Sequence, residues 1–228
     1  MENKPGEITI VESADGSHTL FHEGLKETYH SMHGAVQESE HVFIQAGLKD
    51  QLTTEKKEIR IFEVGFGTGF NAWLTYKYSA CMDVKIVYHT LEPYPLGEEI
   101  YSKLNYTGTT EDKDLHDFFV ALHQVPWDKE VELADNFSLK KINLPLEVYT
   151  PLKESFDLVY YDAFAPSKQA EMWLPGNIQK VYWLLMKGGT FVTYCAKGQV
   201  KRDLKEVGFQ VETLPGPPGK KEMTRGRK

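Results

Sequence analysis

The sequence predicts an α/β fold with a doubly wound, mostly parallel sheet. Short apolar strand patterns alternate with helical ones, and one strand runs directly into a glycine cluster that opens a helix. A strand at 59–64, glycines within 65–69, a helix at 71–79 and a strand at 84–91 follow in this order. That order is a βαβ unit, whose two strands lie parallel.

The rest of the chain continues the alternation, after an N-terminal hairpin of residues 7–11 and 18–21. We predict one structural domain, with residues 1–50 as a hairpin and helix extension packed on a Rossmann-like domain of residues 51–228. Further strands are predicted at 139–142, 146–149, 156–161, 190–195 and 209–214, and helices at 31–48, 98–122, 172–186 and 199–206.

Composition predicts the class of protein and its cellular location. The 228 residues are 41% hydrophobic and 26% charged, as in a globular protein. No apolar run approaches the roughly 18 residues of a membrane span, so we expect no membrane contact. The polar N-terminus does not resemble a secretory signal. With only Cys81 and Cys195, no disulfide framework is expected, and a cytoplasmic location is predicted.

Charge is distributed unevenly along the chain, whose net charge is −7. Residues 197–228 hold nine Lys or Arg against four Asp or Glu, whereas residues 1–196 hold 17 against 29. A basic tail on an acidic body is compatible with a polyanionic partner that meets one face. A solvated terminal tail explains the same composition, and composition alone leaves both readings open.

The glycine cluster predicts a nucleoside-containing cofactor with a cationic part. Gly65, Gly67 and Gly69 form G-x-G-x-G, not the G-x-G-x-x-G of dinucleotide-binding folds, and Glu63 precedes them. A carboxylate there opposes a pyrophosphate and suits the amino group of S-adenosyl-L-methionine. Glu92 ends the next strand, where a carboxylate accepts hydrogen bonds from ribose hydroxyls. The alternative is a structural glycine turn with a surface glutamate.

A second acidic position closes the strand at 156–161. Asp162 belongs to the same sheet edge as the glycines, and Phe164 and Pro166 follow it. A carboxylate there can orient an amine and accept its proton, while the aromatic ring stacks on a base. Asp162 as a turn-capping residue is the structural alternative. The histidines lack companions at zinc-like spacing, so no metal is expected.

These motifs resemble, in the same order, the methyltransferase half of the bifunctional tRNA 5-methylaminomethyl-2-thiouridine biosynthesis enzymes (MnmC). The resemblance covers nearly the whole chain and is most specific in the block that starts at Asp162. It is carried by Gly24–Tyr29, Glu38–Phe43, Glu63–Asn71, Leu91–Leu96, Asp162–Trp173 and Lys220–Met223.

The resemblance implies a class I S-adenosyl-L-methionine-dependent methyltransferase that acts on the 5-aminomethyl group of a tRNA wobble uridine. It assigns Asp162 as the catalytic carboxylate. The cofactor residues are then Glu63, Gly65, Gly67, Gly69, Asn71, Glu92 and Pro93. The substrate residues are Phe164, Pro166 and Trp173, with Lys197, Lys201, Arg202, Lys220 and Lys221 as phosphate contacts.

Two features depart from the family. The sequence ends before an oxidase half, so we expect a stand-alone methyltransferase that receives its aminomethyl substrate from a separate enzyme. The family's adenine-contacting acid has no clear match within residues 144–155. A small-molecule amine N-methyltransferase or aminopropyl transferase, and a non-catalytic binding module, remain alternatives; the glycine spacing makes a nicotinamide dehydrogenase the weakest one.

Overall fold

The structure is a computed structural model that describes residues 8–52, 56–80, 82–106, 113–151 and 153–228. Strands and helices alternate after a small N-terminal sheet. The strands are β1 (Ile8–Glu12), β2 (His18–His22), β3 (Glu27–Thr28), β4 (Glu58–Val64), β5 (Lys85–Leu91), β6 (Glu130–Ala134), β7 (Phe137–Ile142), β8 (Phe156–Tyr161), β9 (Leu185–Thr193), β10 (Gln210–Pro215) and β11 (Glu222–Arg227).

The helices are short, and the first continues through a π-helix into the second. The α-helices are α1 (Ala35–Ser39), α2 (Lys49–Gln51), α3 (Phe70–Ser79), α4 (Glu98–Tyr101), α5 (Lys113–Gln124), α6 (Pro175–Leu184) and α7 (Gly198–Glu206). A π-helix, Glu40–Leu48, joins α1 to α2, and a 3₁₀-helix, Ala170–Trp173, precedes α6. None of the helices in the described ranges is long and apolar enough to cross a bilayer.

The main sheet has eight strands in the order β10-β11-β9-β8-β4-β5-β7-β6. The five central strands, from β9 to β7, are parallel. The chain leaves β4 toward β5 on one side and returns to β8 on the other, so the strand order reverses beside β4. In doubly wound sheets ligands bind at the carboxyl ends of the strands at such a reversal.

Alternation along the strands builds one apolar layer on each face of this sheet. On β4, Ile61 packs on the face covered by the π-helix, α3 and α5, whereas Phe62 packs on the face covered by α6 and α7. The π-helix approaches closely because Gly47 has no side chain; a Cβ there would lie 3.2 Å from Cε1 of Tyr160. Glu63 shares the face of Ile61 and is fully buried.

The fold class predicted from sequence is confirmed, and several elements differ in detail. The predicted strand at 146–149 is a turn, and the predicted helix at 98–122 is two helices, α4 and α5, around residues that lie outside the described ranges. Cys81 also lies outside them. The strands β6 and β11 carry charged residues and were not predicted from hydrophobicity. The division of the chain at residue 50 stays a prediction.

Candidate active site

A cavity of about 420 Å³ lies at the carboxyl ends of β4, β5 and β8. Its size is within the range of small-molecule and cofactor sites. Strand register explains its position, because Val64 pairs with both Leu91 and Tyr161. The residues that follow these three strands therefore emerge side by side at one edge. Asp162 and Glu92 both line the cavity, as the sequence predicts.

The glycine loop forms the floor of this cavity and adopts a backbone that favours glycine. Gly65, Gly67 and Gly69 have φ values of 94°, 48° and 73°. A Cβ at Gly65 would lie 2.8 Å from the carbonyl oxygen of Asp162, closer than carbon and oxygen pack. Gly65 and Gly67 line the cavity, and Gly69 precedes α3 as its N-cap.

Glu92 is oriented by two backbone donors. The Gly67 N–H donates to Oε2 at 2.9 Å, and the Tyr94 N–H donates to Oε1 at 2.9 Å. Burial raises the pKa of Glu92 to about 7, and the two backbone hydrogen bonds oppose that rise. Each oxygen keeps a lone pair free for a ligand hydroxyl. The neighbouring Pro93 also lines the cavity.

One amide links the two other acidic groups. Asn71 Nδ2 donates to Asp162 Oδ2 at 2.9 Å and to Glu63 Oε1 at 3.1 Å. Asn71 Oδ1 is buried without a hydrogen-bond partner, so it is an acceptor that a ligand can satisfy. Burial raises the pKa of Asp162 to about 7, and the Glu38 carboxylate adds to the rise.

Glu63 occupies a different place from the one predicted. It is not among the described residues that line the cavity, and its Oε2 accepts the Thr90 hydroxyl at 2.8 Å. Burial raises the pKa of Glu63 to about 8, although the hydrogen bond from Thr90 lowers it. We therefore expect Glu63 to act on a ligand through Asn71, not by direct contact.

An aromatic wall lines the same cavity as Glu92 and Asp162. The Phe164 ring meets the edge of Tyr29, with centroids 5.1 Å apart at 82°, and that of His22 at 6.1 Å. Lys168 Nζ donates to the carbonyl oxygens of Leu25 and Lys26. These bonds connect the loop that carries Phe164 to the segment between His22 and Tyr29. A planar ring can pack against such a wall.

His22 and Tyr29 were not predicted as site residues, although Tyr29 lies in the motif Gly24–Tyr29. Both belong to the N-terminal extension, whose sequence has no pattern that predicts contact with a sheet edge about 130 residues later in the chain. Tyr194 was also missed. It lies one residue beyond the end of β9 and lines the cavity. The sheet-edge rule that predicted Asp162 applies equally to Tyr194.

Two predicted substrate residues support the wall from behind. Trp173 is only 5% exposed; its Nε1 donates to the Phe164 carbonyl oxygen at 2.8 Å and its ring packs on Tyr161. Pro166 is half-buried in the turn that leads to Lys168. Neither is among the described residues that line the cavity. Their placement favours support of Phe164 over direct substrate contact.

The predicted phosphate contacts separate into two groups. Lys197, Arg202 and Lys221 are exposed. Lys201 is paired with Glu222 at 2.8 Å, and Lys220 is paired with Glu38. The basic tail is also partly neutralised within the fold, because the arginines of β11 bind acidic side chains of α2 and β10. These arginines are Arg225 and Arg227, and their partners are Asp50 and Glu212.

The residues present fit S-adenosyl-L-methionine better than a metal or a dinucleotide. The cavity offers carboxylates for the cationic end, paired acceptors for a ribose, and an apolar stretch, Leu144–Leu146, for a base. A pyrophosphate is disfavoured among the acidic side chains that line the cavity. Within the described ranges, no cluster of three metal-ligating side chains exists.

Comparisons with known proteins agree with this geometry. The model of a family described as S-adenosyl-L-methionine-dependent methyltransferase matches residues 120–228. The crystal structure of MNMC2 from Aquifex aeolicus superposes with a TM-score of 0.79 and 25% identity, covering 99% of this chain and 72% of that one. A spermidine synthase crystallised with the transition-state analogue AdoDATO superposes with a TM-score of 0.56 and 15% identity, over 99% of this chain and 71% of that one, which supports the fold alone.

Curated relatives extend the similarity to nearly the whole sequence. The tRNA 5-methylaminomethyl-2-thiouridine biosynthesis bifunctional protein MnmC of Burkholderia thailandensis is 28% identical over 96% of this chain and 34% of its own length. The protein of that name from a Marinomonas species is 29% identical over 88% of this chain and 31% of its own. This chain thus spans about a third of the length of these relatives.

The fold is that of S-adenosyl-L-methionine-dependent methyltransferases, which confirms the fold class and the cofactor predicted from sequence. Within that class, the chain is similar to the methyltransferase part of MnmC, so the resemblance that the sequence motifs suggested is also confirmed.

Proposed function

We propose that this chain transfers the methyl group of S-adenosyl-L-methionine to the primary amine of a 5-aminomethyl uridine, with or without a 2-thio group, at the tRNA wobble position. The product is the 5-methylaminomethyl nucleoside. The names of the relatives support the substrate. The observation that carries the proposal is that the half-buried Asp162 lines one cavity, at the carboxyl edge of the sheet, together with the rings of Phe164 and Tyr29.

The reaction requires a neutral amine, because a protonated amine has no lone pair. Asp162 can accept that proton, since burial raises its pKa to about 7 and leaves it both basic and partly ionised near neutral pH. Asn71 orients the carboxyl by donating to Oδ2, and this leaves Oδ1 for the amine. When bound, the cofactor supplies an electrophilic methyl group on a positively charged sulfur.

The aromatic wall accounts for a nucleobase acceptor better than for a flexible amine. Phe164, Tyr29 and His22 offer ring edges and faces against which a uracil ring can pack. A base that enters this cavity must leave its stack before it reacts. A wobble base in a single-stranded anticodon loop meets this requirement at low energetic cost.

The remaining substrate interactions belong to the same proposal. Lys197, Arg202 and Lys221 are exposed cations suited to contact RNA phosphates, and Trp173 and Pro166 support the base-facing ring. A separate enzyme supplies the aminomethyl precursor, and the reaction takes place in the cytoplasm, where tRNA is modified. Leu144–Leu146 offer the adenine an apolar border, and the adjacent Glu147 also lines the cavity.

A direct assay tests the substrate. Purified protein, labelled cofactor and tRNA carrying the aminomethyl group should give the methylaminomethyl nucleoside in mass analysis of digested tRNA. Asp162→Asn should lower the single-turnover rate at least about 100-fold, because general-base catalysis contributes at least that factor. Glu206→Gln, a change at an exposed carboxylate of α7, is the matched control and should retain the wild-type rate. Equal rates for Asp162→Asn and wild type would refute the role of Asp162.

The second candidate is methyl or aminopropyl transfer to a free amine. The acidic cavity favours it, because the carboxyl groups that line it attract any small polycation; they are those of Glu92, Glu147, Asp162 and Glu171. The same preparation, offered a polyamine in place of tRNA, separates the two functions. Product from the polyamine and none from tRNA would establish the second function and exclude the first.

A further inference from the structure

Lys220 lies in a motif that the proposed function does not use. The loop before β11 presents two adjacent lysines; Lys221 is exposed, whereas the Lys220 side chain is 32% exposed and turns inward. Its Nζ donates to Glu38 Oε1, and Glu38 Oε2 accepts the Ser31 N–H at 2.7 Å. The ammonium group is thus occupied by a buried carboxylate and is not presented to solvent phosphate.

The same ammonium group contacts the wall of the cavity. Lys220 Nζ lies 3.8 Å from the centroid of the Tyr194 ring, well inside the range of a cation–π contact. The Tyr194 hydroxyl donates to the carbonyl oxygen of Ala163 at 2.9 Å. Ala163 follows Asp162 directly. A continuous series of contacts therefore connects Lys220 to the backbone of Asp162, the proposed proton acceptor.

Electrostatic interaction is a second connection between Lys220 and Asp162. The charged and titratable groups that face the Asp162 carboxyl from the surrounding elements are Glu63, Tyr88, Tyr194, Glu38 and Lys220. Apart from burial, the Glu38 carboxylate raises the pKa of Asp162, whereas the Lys220 ammonium lowers it. The ion pair of Lys220 and Glu38 therefore acts on Asp162 with two opposed charges.

We propose that Lys220 is a positioning residue of this active site and not a contact to RNA phosphate. It holds the Tyr194 ring, and through that ring the backbone that carries Asp162. Its charge also opposes that of Glu38 at the Asp162 carboxyl. The inference rests on the proposed function for its kinetic consequences, but its structural part can be measured without any substrate.

The substrate-free test is a ¹³C NMR titration of the Asp162 carboxyl in the unliganded protein. Lys220→Met keeps the length of the side chain and removes its charge, so the titration midpoint should rise. Adding Glu38→Gln should bring the midpoint back down, because the opposing charge is then absent too. Lys221→Met, the adjacent exposed lysine, and Lys220→Arg should leave the midpoint near that of wild type. An unmoved midpoint in Lys220→Met would overturn the electrostatic role.

Kinetics with aminomethyl tRNA test the positioning role. Lys220→Met should lower the single-turnover rate at saturating tRNA by about 10- to 100-fold, the effect of a small misplacement of a reacting group. Its Kd for tRNA should match that of wild type. Tyr194→Phe, which loses the bond to the Ala163 carbonyl, should also lower the rate and leave the Kd unchanged.

A phosphate contact has a different signature. If Lys220→Met weakens tRNA binding and reduces the salt slope by about one, with the saturated rate intact, the inference is wrong. A wild-type protein that does not methylate tRNA would refute the proposed function instead, and the carboxyl titration would then decide the role of Lys220 alone.

Discussion

Replacing Gly65 with alanine tests the central geometric claim, that the glycine loop and Asp162 are in backbone contact. Gly65 has a φ of 94°, which an L-residue adopts only with strain. In addition, the new Cβ would lie 2.8 Å from the Asp162 carbonyl oxygen and 3.3 Å from its carbonyl carbon. Both neighbours are backbone atoms of a central strand end, so they cannot turn aside as a flexible side chain does.

The expected magnitude combines two costs. A left-handed backbone costs an alanine about 1–2 kcal/mol. Overpacking against backbone that must shift costs about 1–3 kcal/mol more. The free energy of unfolding should therefore fall by about 2–5 kcal/mol, which lowers Tm by about 4–20 °C in a protein of this size. The shift displaces Asp162, so the methylation rate should fall as well.

Gly188→Ala provides the matched control. Gly188 has a φ of 82°, yet a Cβ there would have nothing within 4 Å. Only the backbone cost remains, and Tm should fall by about 2–8 °C, with cofactor affinity and rate unchanged. Differential scanning fluorimetry and cofactor titration calorimetry measure both variants. Equal Tm losses together with wild-type cofactor binding by Gly65→Ala would show that the contact with Asp162 is not present.

Three further predictions concern the carboxyl groups and the C-terminal strand. The single-turnover rate should fall about tenfold for each pH unit below about 7, because protonated Asp162 cannot accept a proton; a rate independent of pH between 5 and 7 would exclude this role. Glu92→Gln should weaken cofactor binding by about 1.5–3 kcal/mol, or roughly 10- to 150-fold in Kd by calorimetry, because charge-assisted hydrogen bonds are lost. Arg227→Ala should lower the free energy of unfolding by about 1–3 kcal/mol in urea at pH 7, since Asp50 and its other partners are left partly unpaired. The effect of Arg227→Ala on stability should fade below about pH 4. The pKa of Asp50 is lowered in the fold despite burial, mainly by the hydrogen bond from Arg227. The Asp50 carboxylate therefore stabilises the fold above the ordinary pKa of aspartate, and this stabilisation is lost as pH falls. Lys57→Ala, at an exposed ion pair, is the control and should leave stability nearly unchanged.

The sequence predicted the parallel core and its chemical edge because both follow from local patterns. The apolar runs that became β4, β5 and β8 end at Glu63-Val64, Glu92 and Asp162, and parallel pairing brings such ends together. The strands β6 and β11 were not predicted, because they lack such a local pattern. β6 is an edge strand with charged residues and β11 contains three of them, so neither has the apolar run that marks a central strand.

Roles that depend on distant partners were assigned less well. Lys220 and Arg227 read as members of a basic tail, yet they pair with Glu38 and Asp50 from the N-terminal helical region. Glu63 read as a ligand contact, yet it is buried below Asn71. Charge and position in the sequence cannot distinguish an exposed cation from one that a distant carboxylate neutralises.

What the sequence alone determined is the β-α-β framework, the glycine loop and the two acids at strand ends, since hydrophobic periodicity and the need for glycine at positive φ are properties of consecutive residues. Only the tertiary structure decided that His22 and Tyr29 pack against Phe164, and that Lys220 pairs with Glu38. Those contacts join segments more than 130 residues apart, and they arise from side-chain packing and charge pairing that no local pattern encodes.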